Sequence, residues 1–283
     1  MRTCPASFRP TAPASTDFGA CESAGRSPAA VDVHDRVGDV TIPSAPASPT
    51  TSSALSTDAT ARPTSAAATA LRNLREVGGP SLQTGRRRTI YRADTEVVEP
   101  TAYPGSLIAV LDLRRDDEVE RVPHPLAATA GYQRMPLFDP SSAIESADAA
   151  VQLDEQYIDW LERHRATIKI VFRTLAQIDG DALVCCSAGK DRTGVVSALL
   201  ARLWGADLDQ IGADYAATRE NFAERFAAEL AASNDPERTR IAQNVVPEIM
   251  INVIEHIEGR YGSVEGYLTS IGLTDDEIRA LKH

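Results

Sequence analysis

The sequence predicts an α/β fold, with a central sheet flanked by helices, over residues 70–283, and a disordered tail before it. Three observations support this prediction. Short apolar or alternating segments of strand length are concentrated between residues 89 and 137, and helical periodicity dominates from residue 151 onward. A glycine-containing loop at 186–193 then joins one more apolar strand to an apolar helix, an arrangement typical of the functional edge of an open α/β sheet.

The first 69 residues differ in composition from the rest of the chain. Ala, Ser, Thr and Pro predominate, as in residues 44–53, and such a segment cannot bury enough apolar surface to offset the entropy lost on folding. A brief apolar alternation near Val31 to Ile42 leaves a short strand there as an alternative. We expect residues 1–69 to form a low-complexity tail and residues 70–283 to form one domain.

Four segments of the domain have the character of strands. Each is short and either apolar or alternating: Thr89–Arg92, Leu107–Leu113, Gln133–Leu137 and Ala182–Cys185. Residues 151–177 predict one or two helices instead, because apolar residues recur there at helical spacing, from Leu153 and Tyr157 to Phe172 and Leu175.

Helical signals continue after the loop. The almost wholly apolar segment Gly194–Trp204 predicts a buried central helix that ends at Gly205. Further helices are expected at Asp207–Arg219, Phe222–Leu230, Arg238–Tyr261 and Ser263–Ser270. The run from Thr274 to Glu277 has the pattern of a capping box and predicts the start of a last helix.

Composition and charge narrow the functional classes. With 40 acidic and 29 basic residues, a net charge of −11 argues against nonspecific binding to nucleic acid. The cysteines at 4, 21, 185 and 186 form no disulfide framework, and no Cys/His spacing predicts a metal site, so no cofactor is expected. No apolar run approaches the ~20 residues of a transmembrane helix, and the N-terminus lacks the apolar core of a secretory signal. These features predict a cytoplasmic protein, with non-classical secretion as an alternative, and they leave the oligomeric state open.

The loop that begins at Cys186 has the residues needed for covalent phosphate transfer. A sharp turn from strand to helix leaves backbone N–H groups directed into one concavity at the positive end of a helix dipole, where a tetrahedral dianion binds. Arg192 can hold two phosphate oxygens, and the same field favours the thiolate of Cys186, which is the nucleophilic form. Thr193 can donate its hydroxyl to that sulfur. We predict Cys186 and Arg192 as catalytic, and as the substrate-binding residues Ser187, Ala188, Gly189, Lys190, Asp191, Arg192 and Thr193.

This Cys-x5-Arg-Thr motif resembles the signature His-Cys-x5-Arg-[Ser/Thr] of the cysteine-dependent protein tyrosine phosphatase superfamily. Its Gly-Lys-Asp-Arg-Thr-Gly form is similar to the bacterial tyrosine phosphatase family that includes mycobacterial phosphatase B. Other segments match that family in order: Asn73–Gly79, Tyr91–Asp94, Leu111–Arg114 with Glu118, and Arg260–Leu268. The resemblance implies a phosphatase of the tyrosine phosphatase fold that hydrolyses phosphotyrosine through a phosphocysteine intermediate.

Ester hydrolysis also needs an acid that protonates the leaving oxygen, and two aspartates are candidates. Asp139 follows a predicted strand and corresponds to the aspartate of a Pro-Phe-Pro-Asp segment in the family. Asp191 lies inside the loop, and in some lipid phosphatases a loop aspartate has this role. Each has a structural alternative, because Asp139 could cap a turn and Asp191 could fix Arg192 or the loop backbone.

Three arginines in the matched segments are expected to form ion pairs that orient the loop, rather than to contact substrate. They are Arg75, Arg92 and Arg114. Asp94 and Asp112 are the carboxylates close to them in sequence.

The residue before the nucleophile departs from the family pattern, because Cys185 stands where the family has histidine. That histidine orders the loop and helps to keep the thiol ionised, so its loss predicts weaker activity. The vicinal pair Cys185–Cys186 also introduces the alternative of oxidation, although adjacent cysteines bridge only with strain. The simpler interpretation is that Cys185 is a small buried strand residue.

Other functions stay open on the sequence alone. Lys190 beside Asp191 resembles the Gly-Lys-x-x-Arg pattern of phosphoinositide phosphatases, so a phosphoinositide or dual-specificity phosphatase is an alternative. An acidic chain with three lysines favours a phosphotyrosine protein as substrate. The missing histidine allows a phospho-binding pseudophosphatase. A rhodanese-like sulfurtransferase is a further alternative, which Thr193 and the Lys-Asp-Arg sequence disfavour.

Overall fold

A five-stranded mixed sheet lies at the centre of the protein, in a computed structural model that describes residues 70–96, 99–137 and 152–283. The strands are β1 (Arg75–Glu76), β2 (Ile90–Ala93), β3 (Ala109–Asp112), β4 (Tyr132–Arg134) and β5 (Ala182–Cys185). They are ordered β1-β2-β5-β3-β4, with β1 antiparallel to β2 and the other neighbours parallel. The predicted α/β class is confirmed, whereas the expected tail, residues 1–69, lies outside the described residues.

Strand β5 is the central strand, and its carboxyl end sets the position of the loop. Its last residue, Cys185, pairs with Ala93 of β2 and with Asp112 of β3, so three parallel strands end at the same level. All of β5 is buried, as expected for a strand between parallel neighbours. The predicted bounds of this strand are confirmed, while the strand expected at 107–113 is shorter and that expected at 133–137 starts and ends earlier.

Helices make up much of the rest of the described chain. In chain order they are α1 (Pro80–Gln83), α2 (Asp116–Arg121), α3 (Leu153–Arg163), α4 (Arg165–Gln177), α5 (Asp191–Leu203), α6 (Leu208–Asn221), α7 (Ala223–Ala231), α8 (Pro236–Ala242), α9 (Pro247–Tyr261), α10 (Val264–Ser270) and α11 (Asp275–Lys282), with a 3-10 turn at Pro100–Ala102. None of the helices in these ranges is long and apolar enough to cross a membrane.

The sheet separates two apolar clusters of unequal size. The larger contains most of the buried helix residues together with Val184 and Cys186, and the smaller contains Leu183 and Cys185. Because side chains alternate between the two faces of a strand, successive residues of β5 and the loop face different clusters. Helix α5 carries the loop into the larger cluster, with every residue from Thr193 to Ala201 buried.

One helix prediction is wrong. Residues 238–261 form two helices, α8 and α9, instead of one. Pro247 has no N–H to donate and disfavours the helical conformation of the residue before it, and Val246 is accordingly extended, with φ −120° and ψ 150°. The central helix also begins at Asp191, earlier than the predicted Gly194, so Arg192 and Thr193 lie in its first turn. The short elements β1, α1 and α2 were not predicted.

Candidate active site

The predicted phosphate loop lies between the carboxyl end of β5 and the amino end of α5. Cys186 follows β5 directly and is only 1% exposed, and Arg192 and Thr193 lie in the first helical turn. Gly189 has a φ of +64°, and a Cβ atom there would come within 2.5 Å of the carbonyl oxygen of Ala93. The loop therefore needs glycine at this position both for its backbone conformation and for its close approach to β2.

Three consecutive carbonyl groups of the loop are held by the rest of the domain. The backbone N–H of Thr95 donates to the carbonyl oxygen of Ser187 at 3.2 Å. The side-chain Nδ2 of Asn73 donates to the carbonyl oxygens of Ala188 and Gly189, each at 3.0 Å. These bonds turn the loop carbonyls toward the domain and away from the concave side.

A buried ion network lies behind the loop. Arg92 Nη2 donates to the carbonyl oxygen of Gly189 at 2.8 Å, and its Nη1 lies 2.5 Å from Asp214 Oδ2. Arg75 Nε donates to Asp214 Oδ1 at 2.6 Å. Burial opposes ionisation of Asp214, but the charges of Arg92 and Arg75 outweigh it and lower its pKa. Burial and then the charge of Arg92 lower the pKa of Arg75 to about 10, so two arginines share one carboxylate here.

Glu118 of α2 fixes Arg192, the arginine predicted to be catalytic. Nη1 and Nη2 of Arg192 lie 2.5 Å and 2.8 Å from the two carboxylate oxygens of Glu118, and Nη1 also donates to the carbonyl oxygen of Leu113 at 3.3 Å. Burial disfavours the charged guanidinium, but the hydrogen bonds that Arg192 donates to Glu118, together with the negative charge placed around it, outweigh burial and raise the pKa of Arg192. A bidentate pair of this kind sets both the position and the plane of the guanidinium.

Asp191 is anchored by two neighbours. Its Oδ1 accepts a hydrogen bond from the fully buried hydroxyl of Tyr157 and lies 3.1 Å from Lys190 Nζ. The Tyr157 hydroxyl is also 3.0 Å from that of Tyr215, and burial, reinforced by the charge of Asp191, raises the pKa of Tyr157 well above its usual range. Lys190 Nζ donates in addition to the carbonyl oxygen of Ala242 at the end of α8. Tyr157, expected from its spacing to be a core residue, is thus also a polar contact of the loop.

A cleft of about 450 Å³ opens beside the loop. Its walls come from Ala188, Lys190 and Asp191 on one side and from α7 and α8 on the other, with Arg225 and Phe226 among them. Thr193 lies on the buried side of the loop, and its hydroxyl has no hydrogen-bond partner within the described residues.

Cys185 is a packing residue on the opposite face of the sheet. Its thiol donates to the carbonyl oxygen of Leu111 at 3.7 Å, and burial followed by the charge of Asp112 raises its pKa well above the usual range. Asp112 forms the expected ion pair with Arg114, at 2.6 Å, and accepts a hydrogen bond from the hydroxyl of Tyr132 at 2.9 Å. The interpretation of Cys185 as a small buried strand residue is confirmed, and both loop cysteines are free thiols.

One of the two candidate acids has no described position in the structure, and one residue of the site, Asp214, was not identified from the sequence. Asp139 lies outside the described residues. Asp214 is the partner of Arg75 and Arg92. It lies on the same face of α6 as the buried residues Ile211 and Thr218. An acidic residue among the apolar positions of a helix is the sequence signal that could have identified it. In the described ranges, no group of three or more His, Cys, Asp or Glu side chains could hold a metal ion.

Comparison with known proteins assigns the family. The family model of the tyrosine phosphatase family matches residues 66–283. The chain belongs to the tyrosine phosphatase family. The resemblance drawn from the Cys-x5-Arg loop is therefore confirmed.

Two proteins of known name are similar to this chain. A tyrosine-protein phosphatase of Nostoc commune is 32% identical over 195 residues, which cover 61% of this chain and 64% of that protein. The triple specificity protein phosphatase PtpB of Mycobacterium tuberculosis is 29% identical over 212 residues, which cover 65% of this chain and 73% of that protein. The chain thus spans less than two thirds of the length of the Nostoc protein.

Three of the four segments that resemble the tyrosine phosphatase family meet at the loop. Asn73 binds two loop carbonyls, Arg92 binds one of them, and Glu118 holds Arg192. Asp94 accepts a hydrogen bond from the backbone N–H of Asn73 at 2.8 Å instead of pairing with an arginine. Three of the matched segments therefore hold the loop from outside it, whereas the fourth, Arg260–Leu268, packs against α3 and its neighbours.

Proposed function

We propose that the protein is a protein tyrosine phosphatase that hydrolyses phosphotyrosine through a phosphocysteine intermediate on Cys186. One feature of the loop supports this proposal most directly. The Cys186 thiol lies at the base of a loop whose carbonyls at 187–189 are all bonded to the domain, beside a guanidinium that Glu118 holds in place. This arrangement supplies a nucleophile, N–H donors and a fixed positive charge at one point.

In the first step the sulfur of Cys186 attacks phosphorus, the S–P bond forms and the P–O bond to the tyrosine oxygen breaks. The leaving oxygen takes a proton from an aspartic acid, while the loop N–H groups and Arg192 stabilise the charge on the equatorial oxygens. In the second step water attacks phosphorus, the S–P bond breaks, the aspartate takes a proton from the water, and inorganic phosphate is released. The Thr193 hydroxyl, which has no hydrogen-bond partner in the described part of the chain, is available to donate to the departing thiolate.

We assign the acid to Asp139 and an orienting role to Asp191. The Oδ1 atom of Asp191 already accepts a hydrogen bond from Tyr157 and lies 3.1 Å from Lys190 Nζ, so these contacts hold the carboxyl group in place beside the loop. Two variants separate the roles. Asp139→Asn should lose more activity on phenyl phosphate than on p-nitrophenyl phosphate, because the poorer leaving group depends more on protonation. Asp191→Asn should affect both substrates equally; the opposite pattern would transfer the acid role to Asp191.

A phosphotyrosine protein is favoured over a phosphoinositide as substrate. The ammonium group of Lys190 carries the charge that would face additional ring phosphates. It contacts Asp191 and the carbonyl oxygen of Ala242, and the Lys190 side chain is only 6% exposed. A panel of phosphotyrosine peptides and phosphoinositides with the wild-type protein tests this choice. Faster turnover of the lipids would overturn it.

The decisive experiment for the mechanism compares wild type with Cys186→Ser. The variant should lose turnover of p-nitrophenyl phosphate and still bind vanadate, because the N–H groups and Arg192 remain. Turnover that persists in Cys186→Ser would refute the phosphocysteine pathway. A wild-type protein that binds phosphopeptide without hydrolysing it would identify a pseudophosphatase.

A further inference from the structure

The loop conformation depends on a side chain far from it in sequence. The described peptide bonds contain no cis form, and in a trans peptide the C=O and the following N–H point in opposite directions. Each of the carbonyls of Ser187, Ala188 and Gly189 points toward the domain. The N–H groups in the same peptide units, those of residues 188–190, are therefore fixed toward the concave side. These N–H groups are the ones that an anion above Cys186 would meet.

Asn73 contributes two of the bonds that hold those carbonyls, and the direction of its amide is fixed. Nδ2 donates to Ala188 and Gly189, while Oδ1 accepts from Arg75 Nη1 at 2.5 Å and from Asn221 Nδ2 at 3.0 Å. Because Oδ1 faces two donors, only the NH₂ group can face the loop carbonyls. The side chain is fully buried, so no water can replace either set of bonds from outside.

We propose that Asn73 is a positioning residue that sets the anion affinity of the loop and the reactivity of Cys186. It touches neither substrate nor the reacting atoms; it acts by holding two peptide units so that their N–H groups face phosphate. The expected effect of Asn73 on turnover rests on the proposed function. Its expected effect on anion binding does not, because anion binding requires no hydrolysis.

The chemistry of the amide makes an isosteric variant informative. Asn73→Asp keeps the shape and removes the donor, so a carboxylate oxygen faces the carbonyls of Ala188 and Gly189 and repels them. The N–H groups then lose their common direction, and both bound phosphate and the Cys186 thiolate lose stabilisation. We expect inorganic phosphate to inhibit or protect about tenfold less tightly, and alkylation of Cys186 by iodoacetate near neutral pH to slow by a similar factor.

Gln83→Glu is the matched control. Gln83 is also a buried amide that donates to two backbone carbonyls, those of Val77 at 2.9 Å and Ile90 at 3.2 Å, and none of its hydrogen bonds reaches the loop. The same chemical change there should lower the melting temperature and leave phosphate affinity and Cys186 alkylation at wild-type values.

The experiment measures three quantities on the full chain of wild type, Asn73→Asp and Gln83→Glu: the melting temperature, the iodoacetate alkylation rate against pH, and its protection by inorganic phosphate. Asn73→Ala, which removes the donor without adding charge, replaces Asn73→Asp if the latter does not fold. A folded Asn73 variant with unchanged alkylation and protection would overturn the inference. If the wild type shows no turnover while the Asn73 variant loses phosphate protection, the proposed function fails and the positioning role stands.

Discussion

The ion pair between Glu118 and Arg192 allows a direct test of how the loop arginine is held. Glu118→Gln keeps the size of the side chain but removes its charge and turns one acceptor into an NH₂ donor that faces the guanidinium. The wild-type contacts are charge-assisted, at 2.5 Å and 2.8 Å, and both side chains are less than 15% exposed. We expect the variant to lose about 2 kcal/mol of transition-state stabilisation, or about a 30-fold lower kcat.

The assay is steady-state hydrolysis of p-nitrophenyl phosphate, with kcat and KM determined separately. Because Arg192 keeps its charge and only loses its fixed orientation, the effect should fall mainly on kcat, where the guanidinium must match the transition-state oxygens. Glu120→Gln is the matched control, since Glu120 lies two residues further along α2 and is exposed. A kcat for Glu118→Gln within twofold of wild type would refute the positioning role of this pair.

The same pair predicts a dependence of stability on pH. Burial opposes ionisation of Glu118, but Arg192 outweighs it and holds its pKa below the ordinary value of 4.5. A carboxyl whose pKa is lowered by folding stabilises the protein at pH values above its unfolded pKa, and this stabilisation is lost as the pH falls through the folded pKa. The difference in unfolding free energy between wild type and Glu118→Gln should therefore be full near neutral pH and shrink below about pH 4.5 in urea denaturation. A difference independent of pH would show that the pair contributes no electrostatic stabilisation.

Three further predictions concern residues around the loop and the start of the domain. Cys185→His should speed alkylation of Cys186 near neutral pH, because an imidazole behind the loop favours the thiolate; an unchanged pH profile would limit Cys185 to packing. Tyr157→Phe should lower the free energy of unfolding by about 1–2 kcal/mol, because it leaves Tyr215 and Asp191 without a buried hydroxyl partner, and urea denaturation with no loss would contradict this. Removing residues 1–65 should leave the melting temperature and the turnover of small aryl phosphates unchanged, because the family match begins at residue 66; a large fall in either would place part of that segment in the folded domain.

The parts of the fold that sequence predicted well are those encoded locally. Strand β5 is a short apolar run followed directly by the loop, and its bounds were predicted without error. The break at Pro247 is equally local, but helical periodicity on both sides of it obscured a signal that the proline itself provides. Helix α2 was missed for a different reason: it is six residues long and carries one buried apolar side chain, too few for periodicity to register.

The parts that escaped prediction depend on contacts between distant residues. Asn73 meets Gly189 across 116 positions of sequence, and Arg92 meets Asp214 across 122. Nothing in the local sequence around Asn73 distinguishes a buried asparagine with several hydrogen bonds from an asparagine in an exposed turn. The family resemblance included this segment but did not indicate what Asn73 does. Only the fold brings β1, β2 and α6 together behind the loop.

The charge balance around the loop follows from that assembly. In a chain with a net charge of −11, two basic side chains of the loop sequence each have a carboxylate partner: Arg192 pairs with Glu118, and Lys190 pairs with Asp191. Arg75 and Arg92 differ from them, since they share the single carboxylate of Asp214. We therefore expect an anion above Cys186 to be held by the loop N–H groups and Arg192, while the Arg75–Arg92–Asp214 cluster behind the loop adds positive charge that salt screens less than it screens surface charge. Under the proposed function, we expect anion binding to depend more on the hydrogen bonds that aim the loop than on the overall acidic charge of the chain.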